Sequence, residues 1–348
     1  MTRLNRFLVA ALVLQGGALA LVRLVGRGGA AEPAVKLFEK LDPKQVASVR
    51  ITDADKKVVE LRRQGAEWVL ASAGDYPVRP GKVAEFLGKL PGLLAGAPVA
   101  SSEAHHRALE VAKDTFQREV ALTGGGAPVR FYLGSSPAVR RVHLRRAGED
   151  AVYAVRDLSA WDASAVAADW VDADYFKVER DKLVSVTLRN AHGTLTLRRE
   201  GAPGGEAEEG AAAASRWTLD GLEEGARVKS SEVDALLGAL AQVTLQEPVG
   251  KHVLPAYGLT PPKGEALLVV REGGREKTHR LQVGAKEGEG HYAKSASSSF
   301  VVKVGTWTAD AVLQKKAQDF QTKEPEKTPD KGPPGGGAPA MPEPDDEP

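Results

Sequence analysis

The chain has 348 residues, of which 42% are hydrophobic and 27% are charged. These fractions match ordinary globular proteins and exclude wholesale disorder or a multi-span membrane protein, while the length allows two domains. Lys and Arg (47) balance Asp and Glu (46), so a net charge of +1 gives no overall attraction for nucleic acid. Cysteine is absent, which excludes disulfides, iron–sulfur clusters, a thiol nucleophile and a lipoprotein anchor.

Residues 1–31 are predicted to be an N-terminal transmembrane anchor or a signal segment. Two arginines precede an apolar run at residues 7–22, and Arg23 follows it. The run is shorter than the roughly 20 residues that cross a bilayer, although Arg23 could snorkel to the surface. A cleaved signal peptide is the alternative, because small residues such as Ala18 and Ala20 form a possible cleavage site. Both interpretations export the rest of the chain, and we expect a single-pass inner-membrane protein with its bulk in the periplasm.

Five blocks of sequence recur in the same order along the chain. Residues 78–93 align without a gap on residues 228–243, and a block that ends at Gly134 recurs 150 positions later, ending at Gly284. The predicted fold is α+β, with two tandem copies of an antiparallel-sheet unit, one packed helix in each, and an N-terminal membrane helix. The predicted boundaries are 32–156 for the first copy, 157–182 for a helical connector and 183–320 for the second copy.

Each copy begins with short strands of alternating apolar residues that lead to a tryptophan strand. Trp68 and Trp217 hold equivalent places in these strands, and we expect them to pack in the core rather than to stack on a ligand. A helix follows in each copy, with one apolar stripe at i, i+3, i+4 and i+7. The stripes are Val83, Phe86, Leu87 and Leu90 in the first helix and Val233, Leu236, Leu237 and Leu240 in the second.

Two segments have compositions that predict no fixed structure. Residues 201–215 are rich in Gly, Ala and Glu and are predicted to be a flexible insertion in the second copy. Residues 321–348 are rich in Pro, Gly and charged residues with nothing apolar to bury, and are predicted to be a disordered tail.

Motifs for nucleotide binding and nucleophilic catalysis are missing from the sequence. Each Gly-Lys pair lacks the Ser or Thr that a phosphate loop needs for magnesium. No Gly-x-Ser-x-Gly elbow occurs, and the serines at positions 295–299 beside His291 have the composition of a hairpin loop. We therefore predict a protein that is not an enzyme and has no cofactor and no catalytic residues.

One group of residues raises the possibility of a metal site. On a helix, His106, Glu110 and Asp114 would share a face at i, i+4 and i+8, a geometry that can hold zinc. The second copy has Pro255-Ala-Tyr-Gly in that region, so a solvated polar segment is the favoured interpretation and no metal site is predicted. A metal-dependent hydrolase is the weaker alternative.

Several motifs together carry a family resemblance. They are Glu67-Trp-Val-Leu, Tyr76-Pro-Val-Arg, Tyr257-Gly-Leu-Thr-Pro-Pro, Leu281-Gln-Val-Gly and His291-Tyr-Ala-Lys. With them the sequence resembles the bacterial family catalogued as domain of unknown function 4340, across roughly residues 46–320. The Tyr-Gly-Leu motif is clear only in the second copy, since Arg107-Ala-Leu109 stands in its place in the first.

The resemblance implies an anchor of one N-terminal helix and an association with ABC-type export or gliding-motility transport components. It supplies no agreed catalytic residues. We therefore expect a membrane-anchored extracytoplasmic binding or scaffolding protein, an accessory of an ABC-type transport system. Its expected partners are the inner membrane and an ABC-type permease or envelope proteins, with no nucleic acid. The alternative is a structural cell-envelope protein that binds peptidoglycan or polysaccharide, and the candidate ligand or partner region is Tyr257, Gly258 and Leu259.

Overall fold

A computed structural model describes residues 34–124, 126–200 and 217–323, together with Gln15. The predicted anchor at residues 1–31, Gln15 apart, and the predicted insertion at 201–215 lie outside the described residues, as does the chain beyond Lys323. Within these described ranges, no helix is long and apolar enough to cross a membrane.

The fold is α+β and consists mostly of antiparallel sheet, as predicted from the strand patterns. The described residues contain three α-helices, which are α1 (Lys82–Lys89), α2 (Ser230–Ala241) and α3 (Thr306–Leu313). The chain divides into two compact units. Unit 1 comprises residues 1–175, 244–254 and 298–304, and unit 2 comprises residues 176–243, 255–297 and 305–348.

The described residues of the first half of the chain form eleven strands. They are β1 (Val35–Lys36), β2 (Ser48–Asp53), β3 (Val58–Gln64), β4 (Glu67–Leu70), β5 (Tyr76–Pro77), β6 (Leu94–Ala95), β7 (Arg118–Thr123), β8 (Val129–Leu133), β9 (Arg141–Arg146), β10 (Val152–Arg156) and β11 (Asp174–Lys177). Unit 1 contains an antiparallel eight-stranded sheet in the order β10-β9-β8-β7-β2-β3-β4-β5. β10 is therefore an edge strand of this sheet.

The core of unit 1 follows from the alternation in the strands and from the stripe on α1. Val49 and Ile51 of β2 face inward and are fully buried, because side chains two residues apart lie on one face of a sheet. All four residues of the α1 stripe are buried, as predicted. Phe86 meets Trp170 edge to face, with 6.0 Å between the ring centres.

In the second half of the chain, the residues that the structure describes form ten strands. They are β12 (Leu183–Asn190), β13 (Gly193–Arg199), β14 (Trp217–Leu219), β15 (Arg227–Val228), β16 (Gln242–Gly250), β17 (Gly264–Glu272), β18 (Arg275–Glu287), β19 (Gly290–Ser295), β20 (Val301–Gly305) and β21 (Gln321–Thr322). In unit 2 six of them lie in the order β19-β18-β17-β12-β13-β14. Strands β9-β8-β7-β2-β3-β4 of unit 1 have the same order.

Local sequence explains why unit 2 folds in this way. The four predicted stripe residues of α2 are all buried. Gly273 and Gly274 connect β17 to β18 and have φ angles of 56° and 80°, as a two-residue hairpin turn requires. Trp217 is buried as predicted, whereas Trp68 in unit 1 is only half-buried.

The predicted helical connector at residues 157–182 is not an α-helix. It holds two short 3₁₀ segments, Ala167–Trp170 and Arg180–Lys182, and the strand β11. Trp170 organises the first segment, because its ring is fully buried and its Nε1 donates a hydrogen bond to the carbonyl of Ser164 at 2.9 Å. Burial of one large ring therefore fixes this stretch without helical periodicity.

The end of unit 2 departs from the prediction in two respects. Gln321 and Thr322 form β21 and pair with β15, so the boundary of the predicted tail at 321 falls inside the folded unit. Phe320, just before them, is fully buried and holds this segment in unit 2. α3 was not predicted, because it buries mainly small residues and exposes 63% of Trp307.

Candidate functional site

The predicted ligand or partner region, Tyr257, Gly258 and Leu259, forms a turn in unit 2. Tyr257 ends a 3₁₀ segment (Pro255–Tyr257), and its ring stacks on Tyr292 with 4.0 Å between the ring centres. Gly258 has a φ of 61° and Leu259 is buried. Two of the three side chain positions are therefore engaged in packing within the unit.

The same turn lies directly against β18. A Cβ atom added to Gly284 would lie 2.1 Å from the carbonyl oxygen of Tyr257. Real Cβ atoms never approach a backbone oxygen so closely, so only glycine fits at this position. The Tyr-Gly-Leu motif and Gly284 together make a backbone contact.

Unit 1 contains a turn of the same form. A Cβ atom on Gly134 would lie 2.1 Å from the carbonyl oxygen of Leu109, Glu110 has a φ of 56°, and Val111 is fully buried. The matching turn is therefore Leu109-Glu110-Val111. The sequence comparison had put Arg107-Ala-Leu109 in this place, and the shift escaped detection because Glu110 replaces the expected glycine.

The three residues of the possible metal site do not share a helix face. His106 is buried with its Nε2 2.9 Å from the carbonyl oxygen of Asp150, Glu110 accepts a hydrogen bond from Gln117, and Asp114 pairs with Arg107. Only a short 3₁₀ segment, Glu103–His105, precedes them. No group of three possible metal ligands was found in the part of the chain that the structure describes.

A large open groove lies in unit 1, over the strands β8 and β9. Its volume is about 1340 Å³, and we call it the Arg145 groove. Its lining includes His106, Arg107, Lys113, Arg130, Tyr132 and Arg145. Tyr132 and Arg145 are register partners on adjacent strands, so their side chains lie side by side on the same face of the sheet.

Arg145 is the most unusual residue of the groove, because only 7% of its surface is exposed. Its Nε donates to the carbonyl oxygen of Val111 at 2.7 Å, and its Nη1 donates to the carbonyl oxygen of Glu149 at 3.1 Å. The guanidinium carbon lies 4.6 Å from the centre of the Tyr132 ring. Carbonyl dipoles and a ring face therefore compensate its charge, and no carboxylate of the described chain forms an ion pair with it.

The remaining nitrogen of Arg145 faces the groove. Nη2 has no hydrogen-bond partner among the described residues. Every fully buried side-chain nitrogen among those residues does have a partner, so Nη2 is not fully buried. Nη2 must therefore keep contact with solvent, and the groove is the opening that Arg145 lines. Its two N–H groups can donate to an incoming oxygen atom.

The other charges of the groove are mixed. Arg130 pairs with Glu119 at 3.3 Å and Arg107 pairs with Asp114, so both cations are neutralised within the unit. Lys113 is exposed and forms no ion pair with the described carboxylates. The carboxylates of Glu103 and Asp150 also line the groove, so selection for an anion rests on the surroundings of Arg145 rather than on an overall positive field.

This arrangement can hold a carboxylate, a phosphate or another oxygen-rich group at Arg145, with an aromatic ring beside it. Sequence reasoning did not single out Arg145 or Tyr132. The sequence offers only a weak signal, since Arg145 follows the buried Leu144 but precedes Arg146, which is charged and only half-buried. Without the pairing of β8 with β9, however, the ring that stabilises the guanidinium could not be identified.

Comparison with known proteins gives a family and nothing finer. The family model described as "Domain of unknown function (DUF4340)" matches residues 68–262, more than half of the chain. The chain belongs to this family. No curated protein and no solved structure matches it at a significant level. The DUF4340 region contains Tyr132, Arg145 and the Tyr257 turn, so the groove and the turn both belong to the family domain.

Proposed function

We propose that this DUF4340 protein is a membrane-anchored extracytoplasmic binding or scaffolding protein, an accessory of an ABC-type transport system. The apolar run at residues 7–22 would serve as its anchor. The two units would be tandem copies of one α+β unit, which the matching strand orders and the 150-residue spacing support. The Arg145 groove would hold an acidic or oxygen-rich group of the partner.

Arg145 is the observation that carries the proposal of a binding role. Burying a cation without a carboxylate partner is unfavourable, and three carbonyl or ring contacts offset this only in part. A bound anion would complete the set of interactions at Nη2. The groove around it has a volume of about 1340 Å³, which is large enough to admit a polypeptide side chain together with its backbone.

Affinity purification from native membranes tests the proposal. We would tag the full-length protein, solubilise it in mild detergent after cross-linking, and identify the co-purifying proteins by mass spectrometry. We expect an ABC-type permease or an envelope protein to be recovered. Lys113 lines the groove, is exposed and forms no ion pair with the described carboxylates, so Lys113→Gln should reduce recovery while leaving the fold intact.

Lys57→Gln is the matched control, because Lys57 is also an exposed lysine, lies in the hairpin between β2 and β3, and does not line the groove. It should recover the partner as well as the natural protein does. If the natural protein recovers neither a permease nor an envelope protein, the proposed role is wrong. Equal recovery with Lys113→Gln and Lys57→Gln would remove the groove from the proposal.

Binding to the cell wall is the second candidate function, and one observation favours it. The ring of Trp161 is 82% exposed, and exposed aromatic rings are common where proteins bind carbohydrate. Sedimentation of the purified protein with isolated peptidoglycan tests it. We expect Trp161→Ala to abolish co-sedimentation if this function is correct, and the natural protein to stay in the supernatant if it is not.

A further inference from the structure

The outer edge of β10 in unit 1 borders a groove of about 710 Å³. This groove, which we call the β10 edge groove, lies between β10 and the segment 92–99. Its lining includes Leu94 and Val99, both more than half exposed, and the small residues Gly92 and Gly96. The surface is therefore apolar at its side, with strand backbone along one wall.

The hydrogen-bond pattern shows which backbone groups of β10 point into this groove. Ala154 lies opposite His143 in the register of β10 with β9. The N–H and the C=O of His143 are both bonded on the other side, to Ser135 and Gly134. Ala154 therefore forms a non-hydrogen-bonded pair with His143, and its own N–H and C=O point outward.

The same parity holds at both ends of the strand. Val152 directs its N–H and C=O outward, where they bond to Ala100 and Val99 at 2.8 Å. Arg156, two residues beyond Ala154, must also direct its backbone groups outward. Neither Ala154 nor Arg156 has a backbone partner on that side among the described residues.

The edge stays open because of the residue that would cover it. Ala100 pairs antiparallel with Val152, so continuing the ladder would place Pro98 opposite Ala154. Proline has no N–H to donate, so the backbone hydrogen bonds that Val99 and Ala100 form with Val152 do not continue to Ala154. Ala154 and Arg156 are then left with free donors and acceptors, as a chain that adds a strand to a sheet edge requires.

Charge indicates what kind of chain would bind. Arg141 and Arg156 lie directly opposite each other in the register, which places their Cβ atoms about 5 Å apart. Neither arginine forms an ion pair with a carboxylate in the described part of the chain, whereas Asp157 pairs with Arg140 and Lys89 pairs with Asp162. Two like charges so placed repel each other, and an acidic side chain beside them on the same face would offset the repulsion.

We propose that the β10 edge groove binds an extended peptide segment of a partner protein, which adds a strand to β10 and places an acidic side chain beside Arg156, on the face of the sheet that Arg156 shares with Arg141. The small side chain of Ala154 leaves room on the same face for the residue opposite it. The inference goes beyond the proposed function, because it holds whichever protein supplies the peptide.

Fluorescence anisotropy with the full-length protein in detergent tests this inference. The probe is a labelled heptapeptide of alternating valine and polar residues with a central glutamate, and the matched probe has lysine in its place. We expect the glutamate peptide to bind about fivefold more tightly than the lysine peptide. Arg156→Gln should bring the two affinities together, and Arg50→Gln, an exposed arginine of β2 outside the groove, should not change their ratio.

A second variant tests strand addition itself. Ala154→Pro removes an outward N–H that the sheet does not use, so its melting temperature should stay close to that of the natural protein while both peptides bind more weakly. Equal affinities for the two peptides, or unchanged binding by a folded Ala154→Pro variant, would overturn the inference. Self-association that Ala154→Pro abolishes would also overturn it, by making a second copy the occupant. None of these variants touches Lys113, so failure here is separate from failure of the purification experiment.

Discussion

The turn at Leu109 in unit 1 and the turn at Tyr257 in unit 2 solve one backbone problem with different side chains. Each turn brings a carbonyl oxygen to 2.1 Å from the place where a Cβ of a strand glycine would lie, on Gly134 or on Gly284. Each has a residue with positive φ, which is Glu110 in unit 1 and Gly258 in unit 2. Both units therefore share the backbone contact that admits only glycine, whereas only unit 2 has the Tyr-Gly-Leu motif in the turn.

Side chains lock the two turns in different ways. In unit 1 the hydroxyl of Ser135 donates to the carbonyl oxygen of Leu109 at 3.2 Å and lies 3.1 Å from Nδ1 of His143. In unit 2 the ring of Tyr257 stacks on Tyr292. Polar contacts in unit 1 and an aromatic stack in unit 2 thus both hold the turn against the neighbouring strand. The Tyr-Gly-Leu motif is one of at least two sequences that form this turn.

The units differ more deeply at the Arg145 groove. An ion pair of 3.3 Å recurs at the same register position in both, Glu119 with Arg130 and Glu265 with Arg280. The pair that forms the groove does not recur, because Gln282 and Lys294 stand opposite each other where unit 1 has Tyr132 and Arg145. Unit 1 thus carries the buried arginine, although the sequence motif had directed attention to unit 2.

The largest effects should come from adding a methyl group to the two close-contact glycines. Gly134→Ala and Gly284→Ala each force a backbone separation that the Cβ atom cannot accept, so each should lower the free energy of unfolding by about 3 kcal/mol or more. Urea unfolding of the purified full-length protein, followed by tryptophan fluorescence, measures both. Similar losses would support one backbone solution in both units.

The control for these variants is Gly88→Ala. Gly88 lies in α1, and nothing lies within 4 Å of the place where its Cβ would be. Alanine should therefore stabilise the helix by about 0.5–1 kcal/mol. A variant Gly134→Ala that is as stable as Gly88→Ala would show that the contact of Gly134 with Leu109 is absent in solution.

Much of the fold of both units could be predicted from the sequence, because helices and strands follow from the spacing of apolar residues close together in the chain. The apolar stripes of α1 and α2 have helical spacing, and all eight stripe residues are buried. The strands alternate, so antiparallel sheets follow from the pattern. The turn of unit 1 could not be found, because Glu110 adopts a positive φ that favours glycine and nothing in its sequence indicates this. The Arg145 groove depends on the pairing of β8 with β9, which is a contact between strands and not a local pattern.

The next largest effect concerns the residue with positive φ in each turn. Gly258→Ala places a Cβ atom in the left-handed region and 3.1 Å from the backbone nitrogen of Ala285, so it should be destabilising by about 1–2 kcal/mol. Glu110→Gly removes the same strain from unit 1 but loses the 2.7 Å hydrogen bond from Gln117, and these terms of about 1 kcal/mol each should nearly cancel. Urea unfolding of the two variants in parallel measures the contrast, and a large loss for Glu110→Gly would mean that the hydrogen bond dominates.

A smaller effect is expected from making the turn of unit 2 resemble that of unit 1. Tyr257→Leu introduces the residue found at position 109 and removes the stack on Tyr292, so about 1 kcal/mol should be lost. Leu109→Ala, measured in the same way, reports on the matching position of unit 1. A loss of several kcal/mol for Tyr257→Leu would show that the aromatic stack, and not the backbone contact with Gly284, holds this turn.

The smallest effect should be a dependence of stability on pH that distinguishes His143 from its counterpart. Register places Tyr292 of unit 2 where unit 1 has His143, and burial lowers the pKa of His143 below its ordinary value of 6.5. Since the unfolded chain then binds a proton more readily than the folded protein, stability at neutral pH is unaffected and falls as the pH drops below about 6.5. His143→Gln should make unfolding in urea less sensitive to pH between about 7 and 5 than in the natural protein.

His279→Gln is the comparison in unit 2, because burial and Lys277 lower the pKa of His279 as well, and its side chain is only half-buried. If both variants reduce the pH dependence of stability equally, burial of His143 in unit 1 has no special effect. If His143→Gln reduces it more, the acid sensitivity lies at the hydrogen bond between His143 and Ser135, in whose place unit 2 has an aromatic stack.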